Sequence, residues 1–128
     1  MFKSGKLDII EYIPINQRTD PKPFTVYFRP MTKEQYDSYT NSLGEFKRNK
    51  FISHAQDAFR LLCEKVLEPN VDGVYLKNVV HDGKALDNVK DKPLAITMLC
   101  GLQDVDSANE IELEMKSQST LNGEEEKN

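Results

Sequence analysis

In residues 51–67, apolar side chains recur at Phe51, Ala55, Ala58, Phe59, Leu62, Val66 and Leu67, one face of a 3.6-residue period. His54, Gln56, Asp57, Arg60, Glu64 and Lys65 fall mostly on the other face. Glu68-Pro69 supplies the stop, because a residue before proline is pushed out of the helical region. The pattern predicts a helix over 51–67 whose apolar stripe organises the core. Two stretches before it read as strands. Residues 7–13 are apolar apart from Asp8 and Glu11 and are ended by Pro14. In residues 24–29, Phe24, Val26 and Phe28 alternate with Thr25, Tyr27 and Arg29, as suits a pleated, half-buried surface. Joined by a loop containing Pro21 and Pro23, the two predict an antiparallel ribbon, which needs a helix or further strands against it.

Local signals punctuate the remainder. Thr32 with Gln35 three residues on forms a capping box, followed by a helix with Tyr36, Tyr39, Leu43 and Phe46 on one face and ended or kinked at Gly44. Lys47, Arg48 and Lys50 read as a solvated connector. Asp72-Gly73 and Asp82-Gly83 are turn pairs enclosing VYLKNVV, which suits a short strand, although a buried helical turn has the same pattern. Pro93 sits where a helix can begin, with Leu94, Met98, Leu99 and Leu102 on its apolar face. Asp104 or Asp106 caps a last helix with Val105, Ala108, Ile111 and Met115 inward.

From Lys116 onward Leu121 is the one large apolar residue, so this segment is expected to be mobile. The fold class that follows is α+β and predominantly α-helical: an N-terminal two-stranded β ribbon packed on a bundle of three to four helices, with a disordered C-terminal tail. Residues 1–115 form a single globular domain and 116–128 a flexible acidic tail. The expected core is Phe24, Val26, Phe28, Tyr36, Leu43, Phe59, Leu62, Val66, Leu99 and Ile111.

Charge and composition narrow the chemistry. The formal net charge of −4 argues against nucleic acid as the main partner. The apolar runs are too short to span a bilayer, and Met1–Lys6 is not followed by an apolar signal region, which points to an intracellular protein without a membrane partner. Of the residues able to hold a metal, His54, Cys63, His81 and Cys100, none is paired with another at two-to-four spacing. Neither cysteine lies in a nucleophile motif, and Gly83-Lys84 lacks the upstream glycine of a phosphate loop. Glu110, Glu112 and Glu114 diverge around a helix rather than converge. The expectation is a non-enzymatic protein without metal or cofactor. Partner contacts fall to Ile111, Leu113 and Met115 on the last helix, with Leu121 as a second anchor.

Three stretches in order, FTVYFRPMTKEQYDSY, VYLKNVVHDGKAL and ANEIELEMKSQSTLNGEEEKN, give a layout spanning roughly residues 24–128. This layout resembles the small tail assembly chaperones of long-tailed bacteriophages. The resemblance implies a cytoplasmic role in the host: binding the tape measure protein and keeping it soluble during tail morphogenesis. It further implies contact with the tail tube protein and self-association as options. A structural virion component, or a head-tail or tail adaptor of a phage, is the competing class. A very long helical chain with an apolar face aggregates unless covered, and a small acidic protein can shield it reversibly.

Overall fold

The computed structural model describes the backbone of residues 7–47, 50–53 and 57–127, and the side chains of 7–43 and 57–119. Its elements run β1 (Ile10–Tyr12), a 3-10 turn (Ile15–Gln17), β2 (Thr25–Phe28), α1 (Lys33–Ser42), β3 (Gly44–Lys47), β4 (Lys50–Ser53), α2 (Ala58–Val66), β5 (Leu76–His81), β6 (Lys84–Val89), α3 (Lys92–Cys100) and α4 (Val105–Lys127).

The two N-terminal strands pair antiparallel, Ile10 opposite Phe28 and Tyr12 opposite Val26. They are not a separate ribbon. β5 joins the other side of β2 and β6 follows it, giving a four-stranded antiparallel sheet in the order β1-β2-β5-β6. The expected two-stranded ribbon on a helical bundle is therefore corrected. The signal for β5 and β6 lay in VYLKNVVHDGKAL, but Lys84–Val89 alternates too weakly to read as a strand without its partner.

β2 is buried along its whole length, with Thr25, Val26, Tyr27 and Phe28 all under 5% exposed. Its alternation suggested one buried and one solvated face, but both faces are covered. On the outer face the Lys77 ammonium sits 5.7 Å from the Tyr27 ring centroid. Beyond the β5 pairing, the chain leaving α2 continues the ladder. Arg29 N–H donates to Val66 O at 2.7 Å, and Phe28 forms an isolated antiparallel bridge with Leu67. Helix and sheet are thereby joined by backbone bonds as well as by side-chain packing.

The helix expected over 51–67 begins only at Ala58. Phe51 lies in β4, which pairs with β3 in a separate hairpin, Phe46 opposite Phe51 and Lys47 opposite Lys50. Aromatic and β-branched residues in FIS suit a strand once a partner is adjacent, and tertiary pairing overrides the helical period there. His54 and Ala55 lie outside the described residues. Of the remaining stripe, Leu62, Val66 and Leu67 are buried and Phe59 packs partly buried against the core; Cys63, outside the stripe, is buried as well. Of the other expected core residues, Phe24, Val26, Phe28, Leu99 and Ile111 are buried, while Tyr36 and Leu43 are partly so.

α1 carries the capping box, with Thr32 Oγ1 accepting from Gln35 N–H and Gln35 Oε1 accepting from Thr32 N–H. Tyr39 is 1% exposed and donates to Ala58 O at the start of α2.

At Asp82-Gly83 the hairpin turns with φ of +50° and +80°, the positive values that a tight two-residue turn demands. Asn78, inside β5, also has a positive φ of +57°, and its amide donates to Pro23 O at 2.9 Å. This left-handed residue reverses the facing of the strand. Leu76 and Val79 both point into the core, an odd spacing impossible in a regular strand, and Val80 is left 69% exposed.

The segment beyond Lys116, expected to be a disordered tail, continues as helix α4 to Lys127. One hydroxyl explains how it is held. Ser119 is fully buried; its Oγ donates to Met115 O and accepts from Met31 N–H, each at 2.9 Å. A serine in a polar run gives no sequence signal of burial, because its partner lies 88 residues away.

Two outcomes follow. Ser119→Ala leaves the Met31 N–H buried without an acceptor and should lower stability by about 1–3 kcal/mol in urea unfolding. A loss under half of that range's lower limit would show that the contact does not hold α4. Asn78→Val places a β-branched residue at positive φ and should cost more than Asn78→Gly, by about 1–2 kcal/mol; equal midpoints for the two variants would contradict the strand reversal.

Candidate functional site

The N-terminal half of α4 and the segment after β1 are joined by a polar clasp. Asp104 stands before the helix, where its carboxylate accepts from Ser107 N–H at 3.2 Å and from Ser107 Oγ–H at 2.8 Å. It is an N-cap, at one of the two positions expected for it, Asp104 or Asp106. These bonds from Ser107, with a further one from Asn16 at 2.8 Å, hold the Asp104 carboxyl below its usual range. Two turns on, the Glu110 carboxylate accepts from the Tyr12 hydroxyl and, at 2.9 Å, from Ile15 N–H. Burial, and then the hydrogen bond to Glu110, push the Tyr12 phenol from 10.0 up to about 12.

The clasp fixes the 3-10 turn against the helix and presents Ile15 to solvent, 65% exposed, beside the start of α4, where Val105 is also 65% exposed. Val105 was expected inside. As the first residue after the cap it falls outside the buried series, which is Ser107, Ile111, Met115 and Ser119.

The four residues expected to contact a partner separate. Ile111 and Met115 are fully buried in the core, so neither offers a surface. Leu113 is 64% exposed, on the outermost stripe of α4 with Asp106, Asn109 and Ser117. Carboxylates surround it along the helix: Glu110 in the clasp, Glu112 in an ion pair with Lys116 at 3.5 Å, and Glu114 accepting from Gln118 at 2.9 Å. Leu121 belongs to the same helix, and its side chain lies outside those described. Ile15 was missed. Its only trace in the sequence is an isolated branched aliphatic in a polar, proline-flanked loop.

A depression of about 380 Å³ lies between α2 and α3 and is lined by Arg60, Glu64, Lys92, Pro93, Ile96 and Thr97. Lys92 Nζ donates to Glu64 O at 3.0 Å, so this cation is spent on the C-terminal end of α2, where the helix dipole favours it. Cys100 is exposed and Cys63 buried, and both thiols are free. Burial raises both above the ordinary thiol range. His81 lies 3.4 Å from Asp82 at the hairpin tip, and His54 is outside the described residues. Among the described residues no group of histidine, cysteine and carboxylate side chains is arranged to hold a metal ion, and no helix is long and apolar enough to cross a membrane.

Compared with known proteins, the chain matches no family model, no curated protein and no solved structure. What the described surface offers is a set of exposed aliphatic side chains on and beside an acidic helix, an arrangement suited to contact with another chain.

Removing the clasp's phenol is informative. Tyr12→Phe should cost about 1 kcal/mol at neutral pH. The native state holds the Tyr12 proton more tightly than the unfolded chain does. Its contribution is therefore complete below pH 10 and is lost as pH rises towards 12. The stability gap between wild type and variant should close over that window in urea titrations; a gap independent of pH would refute the Tyr12–Glu110 bond.

Proposed function

We propose that this chain is a non-enzymatic, protein-binding tail assembly chaperone, and that it holds a tape measure protein through the outer face of α4. The observation that carries the reading is Leu113: a large aliphatic side chain, 64% exposed, with Glu110, Glu112 and Glu114 beside it on one helix. An apolar anchor in an acidic surround suits an amphipathic partner helix whose apolar stripe is bordered by basic residues. Leu121 follows eight residues later in the same helix, about a quarter turn around its axis. The layout of residues 24–128 supplies the family half of the reading. The two buried residues of the expected set, Ile111 and Met115, serve the same surface by fixing α4 to the body of the domain.

Shielding of this kind is reversible, since the partner must be released to the tube subunits. Few exposed anchors and a large acidic surround favour that balance, because rim charges steer encounter and register more than they add affinity.

Co-expression with the tape measure protein of the same tail gene cluster tests the proposal. Leu113→Glu should leave the thermal midpoint unchanged, the side chain being exposed, and reduce co-purification of the tape measure protein by about tenfold or more. Full capture by the variant would remove α4 from the reading. Detection of the chain at fixed copy number in finished virions by mass spectrometry would replace the chaperone with a structural component.

A further inference from the structure

We infer that Ile15, held out by the clasp, and Leu113 on α4 are the two apolar anchors of one docking surface, and that its occupant is a cationic amphipathic helix lying along α4. The inference rests on the reading of α4 as a partner surface. It adds the 3-10 turn as the second half of the site, the chemistry of the partner and the residue that positions the second anchor.

Exposed aliphatic side chains are ordinary when they are scattered. Ile15 and Leu113 are not. Ile15 N–H donates to the Glu110 carboxylate at 2.9 Å, and Glu110 lies three residues before Leu113, about 60° around the helix. The two side chains, 65% and 64% exposed, therefore flank a single carboxylate. Asn16, next to Ile15, donates from Nδ2 to Asp104 at 2.8 Å and to Ser107 at 3.1 Å. The turn buries none of its three residues, so these bonds set where Ile15 stands.

Charge selects the occupant. Residues 104–119 hold five acids, Asp104, Asp106, Glu110, Glu112 and Glu114, against one base, Lys116, a net of −4 and as large as that of the entire chain. Lys116 is itself paired with Glu112 at 3.5 Å. Across residues 14–20, Arg18 and Asp20 cancel. A second copy meeting this face would set −4 against −4, and nucleic acid or an anionic lipid surface would be repelled in the same way.

A partner with basic residues bordering an aliphatic stripe meets both features at once. The stripe covers Ile15 and Leu113, and the borders face Asp106, Glu110 and Glu114. A helix supplies that arrangement through its 3.6-residue period. α4 bonds its own backbone internally, so it offers no ladder to an extended strand.

Fluorescence anisotropy of a labelled synthetic peptide, titrated with the full chain, tests the inference. The peptide has about 18 residues, with leucine at i, i+4, i+7 and i+11 and lysine at the bordering positions. Its counterpart carries glutamate in place of every lysine. The lysine peptide should bind, more weakly as salt is added, and the glutamate peptide should not. Ile15→Ser and Leu113→Ser leave the charge unchanged and should each weaken binding by about tenfold or more. Val71→Ser, at a fully exposed valine in the loop before β5, should bind as the wild type does. Asn16→Ala should weaken binding in the wild type and make no further difference in Ile15→Ser, because Asn16 acts through the position of Ile15.

Equal binding of the two peptides, or wild-type affinity in Ile15→Ser, overturns the inference. So does an Asn16→Ala loss that adds in full to that of Ile15→Ser. Binding of the peptide through Ile15 without capture of the tape measure protein refutes the chaperone reading alone. Capture of the tape measure protein without binding of the peptide refutes this inference alone.

Discussion

The four-stranded sheet and the end of α2 are attached to a strand of four residues that is dry on both faces. Burying Thr25, Val26, Tyr27 and Phe28 together removes a large apolar area from water, and it also removes every polar backbone group of the strand. Those groups must be satisfied by backbone on either side. β1 supplies one side. The other is divided between β5 and the residues that leave α2, with Arg29 N–H bonded to Val66 O and Tyr27 N–H to Tyr75 O. The need to pair a buried strand fully thus dictates where α2 must end and where β5 must begin. Glu68-Pro69 stops the helix at the point where the chain has to become extended.

From that anchor, two polar features decide which side chains face outward. Asn78 takes up a left-handed conformation within β5, tied to Pro23 O, and so turns Val79 into the core and Val80 out. The clasp of Asp104, Ser107 and Glu110 holds the segment from Tyr12 to Asn16 against α4, and Ser119 secures the helix again by the Met31 N–H. With both ends of its buried series fixed, α4 cannot rotate, and Leu113 stays on the solvent side. The exposure of Val80 and of Leu113 is a consequence of polar contacts made elsewhere. Their exposure cannot be relieved by a small helix rotation without breaking several hydrogen bonds at once.

Local physics was readable along the chain. The capping box at Thr32, the cap at Asp104, the tight turn at Asp82-Gly83, the second half of the long amphipathic stretch and the strand around Val26 each depend on neighbours within a few residues. In all of these the residues that create the signal also make the contact. Leu113 was also legible, because it falls off a stripe that its own helix defines.

The tertiary structure decided what depended on distant partners. Phe51 fits a helical stripe and a strand equally well, and the pairing of β4 with β3 settled the choice. The ribbon became half of a sheet because β5 found the open side of β2, a contact across some fifty residues. The polar C-terminal segment became ordered helix because one serine met a backbone N–H 88 residues away. Ile111 and Met115, read from the helical period as inward and also as partner contacts, are buried, so only the inward reading stands. The sequence by itself determines the periodicities and the caps, since these are written in adjacent residues. Which face of each element is covered is a property of the partner that covers it, and only the folded chain brings that partner into place.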